Sequence, residues 1–134
     1  MSKRLPLIAV MIFGIAASTI LSRHEIVNAA STGKAIYESK CASCHQVTGQ
    51  GLAGAFPPLA GNNDVTGDPN KAISAIVKGL NGPLTVNGKT YNGVMPPWKG
   101  QLSNTEIAAV LTYVRTSWGN KASAITEQQV AAFK

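Results

Sequence analysis

Five consecutive residues constrain this 134-residue chain more than any other feature: Cys41-Ala42-Ser43-Cys44-His45. The pattern Cys-x-x-Cys-His is the attachment signature of a c-type haem. Two thiols three positions apart at a helix end can each add to a vinyl group of one porphyrin. The next residue then presents an imidazole to the iron. Three other uses of these residues compete. A Cys41–Cys44 disulfide is allowed in an oxidising compartment. A thioredoxin-like redox pair needs a βαβ context, which the sequence does not offer. A structural zinc site wants four Cys or His ligands. Beyond residue 29 the chain has only Cys41, Cys44 and His45 of these types.

The start of the chain favours haem. Lys3 and Arg4 form a basic head, and Leu5 to Leu21 run 17 residues without a charge. Arg23, His24 and Glu25 follow, then the small-x-small step Val27-Asn28-Ala29. This is the layout of a secretory signal peptide over residues 1–29, leaving a haem domain over 30–134. The alternative is an uncleaved anchor, because 17 apolar residues sit at the lower edge of a bilayer span. In both cases Lys3 and Arg4 stay in the cytoplasm and the rest is exported, which in a bacterium means the periplasm.

Charge narrows the function. The whole chain is +6, from 12 basic and 6 acidic residues; without the leader, 9 and 5 remain, a net +4. Charged residues make up 13%, about half of the usual share of roughly 25%. A charged disordered tail, a coiled coil and a multidomain enzyme are excluded. There is no Lys/Arg run and no basic stripe with interleaved aromatics, so nucleic acid is excluded as a partner.

The pattern of elements is all-α. Ser31 or Thr32 caps a first helix that carries Ala35, Ile36 and Tyr37 towards Cys41. Gly49 to Gly67 is rich in Gly, Pro and Asn and reads as loop. Asp68-Pro69 opens a helix with Ala72, Ile73, Ile76, Val77 and Leu80 on one face, stopped by Asn81-Gly82. Asn87-Gly88 makes a minimal hairpin. Tyr91 to Gly100 is a second loop. Ser103 to Glu106 is a capping box before the stripe Ile107, Val110, Leu111, Val114 and Trp118, with Gly119 as the stop. Thr126 to Gln129 caps a last short helix. Three to four helices with long loops are unusual in a small domain. They make sense wrapped around one haem, whose apolar mass completes a modest core.

Counting narrows the second iron ligand. Met1, Met11 and His24 lie in the leader, so the rest of the chain holds one His and one Met: His45 and Met95. Met opposite His is an electron-transfer pairing that raises the reduction potential. Met95 sits in Gly93-Val94-Met95-Pro96-Pro97-Trp98, where Pro96 restricts Met95 to extended backbone and two prolines stiffen the strap. The competing reading of Met95 is a core filler.

With these residues in view, the chain beyond the leader resembles a class I monohaem cytochrome c of bacterial type, over nearly all of residues 32–119. Gly33 and Tyr37 look like the family's N-terminal helix face, and Val110 and Tyr113 like the matching C-terminal face. Pro57-Pro58-Leu59 is similar to the family's Pro-x-Leu segment. The resemblance implies the class I cytochrome c fold, haem attachment outside the cytoplasm, and a Pro57 carbonyl that accepts the His45 Nδ1–H. It also implies that Leu59 packs on the haem. Tyr91–Pro96 and Trp118–Asn120 resemble cytochrome c domains attached to periplasmic oxidoreductases and oxidases. Tyr91 and Trp98 are candidates to hydrogen-bond a haem propionate, Trp118 is expected in the core, and Lys40, Lys78, Lys89, Lys99 and Lys121 are expected on the solvated surface.

The function so implied is a periplasmic electron-transfer protein and not an enzyme. It carries one electron on a single covalent haem c bound to Cys41 and Cys44, with His45 and Met95 as axial ligands. Its partners are donor and acceptor proteins, and it meets a membrane only through an uncleaved leader. The alternative is a fixed haem c subunit of a membrane-associated dehydrogenase, reductase or oxidase complex. A peroxidase or gas sensor needs an open sixth position or a second haem.

Overall fold

Six helices and one hairpin organise residues 32–134, the part described by this computed structural model. The expected signal peptide over 1–29 and the expected Ser31 cap lie outside the described residues. Helix α1 covers 32–40, so Thr32 is already helical rather than a cap. Helix α2 is Ala42–His45, α3 Asn63–Thr66, α4 Pro69–Lys78, α5 Asn104–Thr116 and α6 Glu127–Ala132. Strands β1 (Leu84–Val86) and β2 (Lys89–Tyr91) pair antiparallel, with Leu84 opposite Tyr91. Asn87 and Gly88 both have positive φ, 50° and 75°, the two-residue turn that matches strand twist.

Local signals start the helices. Asp68 accepts from the Asn70 N–H at 2.9 Å ahead of Pro69. The Ser103–Glu106 and Thr126–Gln129 capping boxes are both closed. Helix α3 falls inside the stretch expected as loop: the Asn62 side chain accepts from the Asp64 N–H at 2.9 Å and starts one helical turn. Two ends differ from expectation. Helix α4 stops at Lys78, before Leu80, because Gly79 (φ 72°) turns the chain. Leu80 is then free to pair with Met95. Helix α5 stops at Thr116, and Trp118 lies off the helix with φ 52°. Trp118 packs against the core half-buried, so its place in the helical stripe is corrected.

The core forms where α1 and α4 pack on α5, with Tyr37, Ile73, Ile107 and Val110 almost fully buried. A Cβ at Gly33 would overlap the Ala109 carbonyl and lie 3.0 Å from the Tyr113 Cβ, so only glycine allows α1 to approach α5 this closely. Tyr37 stacks on Tyr113 (5.6 Å) and Trp118 (4.9 Å). Arg115 is 2% exposed. Its guanidinium donates to the carbonyls of Val65, Gly67 and Ser123, which ties α3 to the chain before α6. Burial holds its pKa below the usual arginine value. Among the described residues no helix is long and apolar enough to cross a membrane.

Candidate haem site

Helices α1 and α2 deliver the motif. The Cys41 N–H closes α1 onto the Tyr37 carbonyl (2.9 Å), and the Cys41 carbonyl accepts from the N–H groups of Cys44 (3.1 Å) and His45 (2.9 Å). Both cysteines are free, half-buried thiols. Burial, with Cys44 alongside, pushes the Cys41 thiol up to about 11. It is therefore protonated at neutral pH.

His45 is 9% exposed, and its Nδ1 lies 3.0 Å from the Pro57 carbonyl oxygen. A carbonyl can only accept, so Nδ1 carries the proton and Nε2 keeps its lone pair. Burial lowers the imidazole pKa more than the Pro57 bond raises it, which favours the neutral, metal-binding form. The bond to Pro57 and its partners are those implied by the resemblance.

Met95 reaches the same cleft on a strap. Leu80 and Met95 exchange two backbone hydrogen bonds, each 2.9 Å. A Cβ at Gly79 would sit 2.5 Å from the Met95 carbonyl, so glycine permits this pairing. The strap is tied further by Trp98 N–H to the Ile76 carbonyl (2.9 Å) and Gly93 N–H to the Ala55 carbonyl (2.8 Å).

The cleft has two adjoining lobes that share Cys41, His45, Pro57, Leu80, Leu84 and Met95. The larger, about 390 Å³, is walled by Leu59, Ile76, Val110 and Leu111 among others. That volume is within the range of small-molecule and cofactor sites, roughly 300–1,000 Å³. The smaller is lined by Phe56, Tyr91, Trp98 and Lys40. Tyr91 and Trp98 therefore lie on the wall of the cleft, whereas Trp118 does not line it. Two thiols, a neutral imidazole and a thioether around apolar walls fit haem c. Among the described residues no group of three or more His, Cys, Asp or Glu could hold a bare metal ion.

Three residues of this site have roles that the sequence pattern does not convey. Leu80 has the spacing of a helix position, yet it is the strap's partner. Asn62 donates to the Pro58 carbonyl at 2.9 Å; its signal is the Asn-x-Asp cap inside a Gly/Pro loop. Asn120 donates to the Leu59 carbonyl at 3.0 Å and accepts from the Gly61 N–H at 2.9 Å. No local pattern announces that role.

A small helical domain built around such a cleft is of the haem-carrying class, and comparison with known proteins is more specific. Residues 30–118 match the Cytochrome c family. A cytochrome c-552 of Thermus thermophilus is 45% identical over 96 residues, 69% of this chain and 64% of that protein. A second Thermus thermophilus cytochrome c-552 is 46% identical over 92 residues, 66% of this chain and 69% of that protein. The cytochrome c subunit of a quinone alcohol dehydrogenase from Gluconacetobacter polyoxogenes is 43% identical over 92 residues, 67% of this chain but only 19% of that protein. The chain thus spans about two thirds of the Thermus relatives and about a fifth of the dehydrogenase subunit. The chain belongs to the cytochrome c family, with the mostly helical class I fold. Its cofactor is covalently attached haem c, and Cys41 and Cys44 stand at the family's paired-cysteine position.

Proposed function

We propose that this protein carries one electron at a time between a donor and an acceptor protein. Cys41 and Cys44 would hold one haem c covalently, and His45 and Met95 would ligate its iron. The observation that carries the reading is the His45–Pro57 bond of 3.0 Å in the cleft that the Met95 strap also lines. When bound, haem c supplies a one-electron iron couple. The chain's residues do the rest. Pro57 fixes the imidazole, which makes it a better donor. The Leu80–Met95 pairing holds the thioether in place, Leu59 would pack on the porphyrin, and the apolar walls would keep water away. Ligands held rigidly on both sides need little rearrangement when charge changes. With His45 and Met95 both on the iron, the chain would leave a substrate no access to the metal, and the protein would act as a carrier rather than an enzyme. The leader over 1–29 is cleaved and the domain works in the periplasm.

Mass spectrometry of the mature protein tests attachment. One haem should survive acid–acetone extraction, on a chain that begins near Ala30. A colourless protein with a Cys41–Cys44 disulfide would overturn the reading. The match to a dehydrogenase cytochrome c subunit supports a second reading, a fixed subunit of a larger complex. Co-purification with a membrane dehydrogenase, leader intact, would select it.

A further inference from the structure

We infer that the turn Trp118-Gly119-Asn120 is a positioning brace for His45. The inference rests on His45 being a haem ligand and goes beyond it. Two backbone segments decide how the imidazole sits: the residues that follow it, Gln46 to Gly49, and the loop that carries its Nδ1 acceptor, Pro57 to Gly61. The turn grips both. The Trp118 Nε1–H donates to the Val47 carbonyl at 3.1 Å. Asn120 donates to the Leu59 carbonyl (3.0 Å) and accepts from the Gly61 N–H (2.9 Å). It also donates to the Val114 carbonyl at 2.8 Å, which roots the turn in α5. The two gripped segments are joined to each other as well, since the Gly49 carbonyl accepts from Leu59 N–H at 2.7 Å.

The turn is built at a conformational cost. Trp118 has φ 52°, a region that bulky residues avoid, and Gly119 follows at φ 87°. Such a conformation persists only where the surroundings over-determine it. Here they do. The indole fills a notch at Gly49, where a Cβ would lie 2.5 Å from the ring. It also packs on Tyr37 at 4.9 Å and Tyr113 at 5.5 Å. Tyr37 adds a third tie, its hydroxyl donating to the Gln46 carbonyl at 2.6 Å. Asn120 is 7% exposed and its amide is fully bonded. Loosening the brace lengthens the Nδ1–H···Pro57 bond. The imidazole becomes a weaker donor, the ferric state loses stabilisation, and the potential rises.

The test compares the holoprotein with Trp118→Phe, Asn120→Ala and Val130→Ala. Val130 is buried on α6 and hydrogen-bonds to neither gripped segment, so its variant loosens the same tail without releasing the brace. Midpoint potential and the paramagnetically shifted ring-proton NMR signals of ferric His45 are read in each. Trp118→Phe and Asn120→Ala should raise the reduced-to-oxidised ratio at fixed ambient potential at least threefold. That is about 28 mV, since tenfold is 59 mV for one electron. Both should shift the His45 signals; Val130→Ala should move neither. Trp118→Phe keeps an aromatic ring in the notch and decides the matter alone if Asn120→Ala does not fold. Unmoved His45 signals and potential in Trp118→Phe, or equal changes in Val130→Ala, would overturn the brace. A parent protein without His45 ligation would overturn the function proposed above instead.

Discussion

His45 and Met95 are restrained in different ways. The imidazole is aimed by one side-chain bond to Pro57, whereas the thioether is carried by a backbone pairing with Leu80. Removing the sulfur therefore leaves the strap in place. Met95→Ala should abolish the long-wavelength sulfur-to-iron absorption band, lower the potential, and admit carbon monoxide to the ferrous form. It should cost about 2 kcal/mol of stability for a half-buried side chain. An unchanged ferric spectrum in that variant would count against Met95 as ligand. Arg115 is the other residue with a sharp consequence. Three carbonyls depend on its guanidinium, and no carboxylate pairs with it at salt-bridge distance among the described residues. Arg115→Leu should lower stability by about 3 kcal/mol, because those acceptors are left without a donor. Denaturant unfolding of the holoprotein measures it; a loss below about 1 kcal/mol would mean that water replaces the side chain.

Among the elements, α5 is the one most plainly written in the chain. Its capping box and apolar spacing are local, and they are realised at Ser103, Glu106, Ile107, Val110 and Val114. The Glu106 carboxyl is held below its usual range by the Ser103 N–H and hydroxyl. A depressed folded-state pKa stabilises above the unfolded value near 4.5 and is lost as pH falls through the folded value. Glu106→Gln should therefore flatten the acid limb of the stability curve below about pH 4.5. Equal acid limbs in variant and parent would show that the box is not a titrating element. The ends of α4 and α5 were harder to read because apolar spacing continues after the backbone has turned. Leu80 keeps the helical period yet pairs with Met95, and Trp118 keeps it yet sits in a left-handed turn. The close approach of α1 and α5 at Gly33 is the one that the resemblance implied. Gly33→Ala should cost about 2–3 kcal/mol by overpacking. A smaller loss in thermal unfolding would mean that α1 can move outward.

For the molecule as a whole, the proposed site residues have signals in the sequence that their supports lack. His45 comes from the Cys-x-x-Cys-His motif, Met95 from a count, and Pro57 and Leu59 from a resemblance. Asn62 does not emerge, and Asn120 emerges only within the Trp118–Asn120 stretch, without its role, because the work of both is done on carbonyls of a loop that gives no side-chain signal. Net charge bears on how partners meet. The chain beyond Ala29 carries +4, and two ionised haem propionates would remove about two of these charges. With a Debye length of roughly 8 Å at about 0.15 M salt, only charges near the contact steer. The electron-transfer rate with a partner should fall only moderately with ionic strength in stopped-flow measurements. A collapse by orders of magnitude would reveal a strongly charged docking face. The brace also orders events in time. Its bonds join residues 71, 61 and 59 positions apart. A chain emerging N-terminus first exposes Cys41, Cys44 and His45 long before Trp118 and Asn120 exist. The segment around Cys41, Cys44 and His45 is thus locked only once the chain has folded back from Trp118 and Asn120.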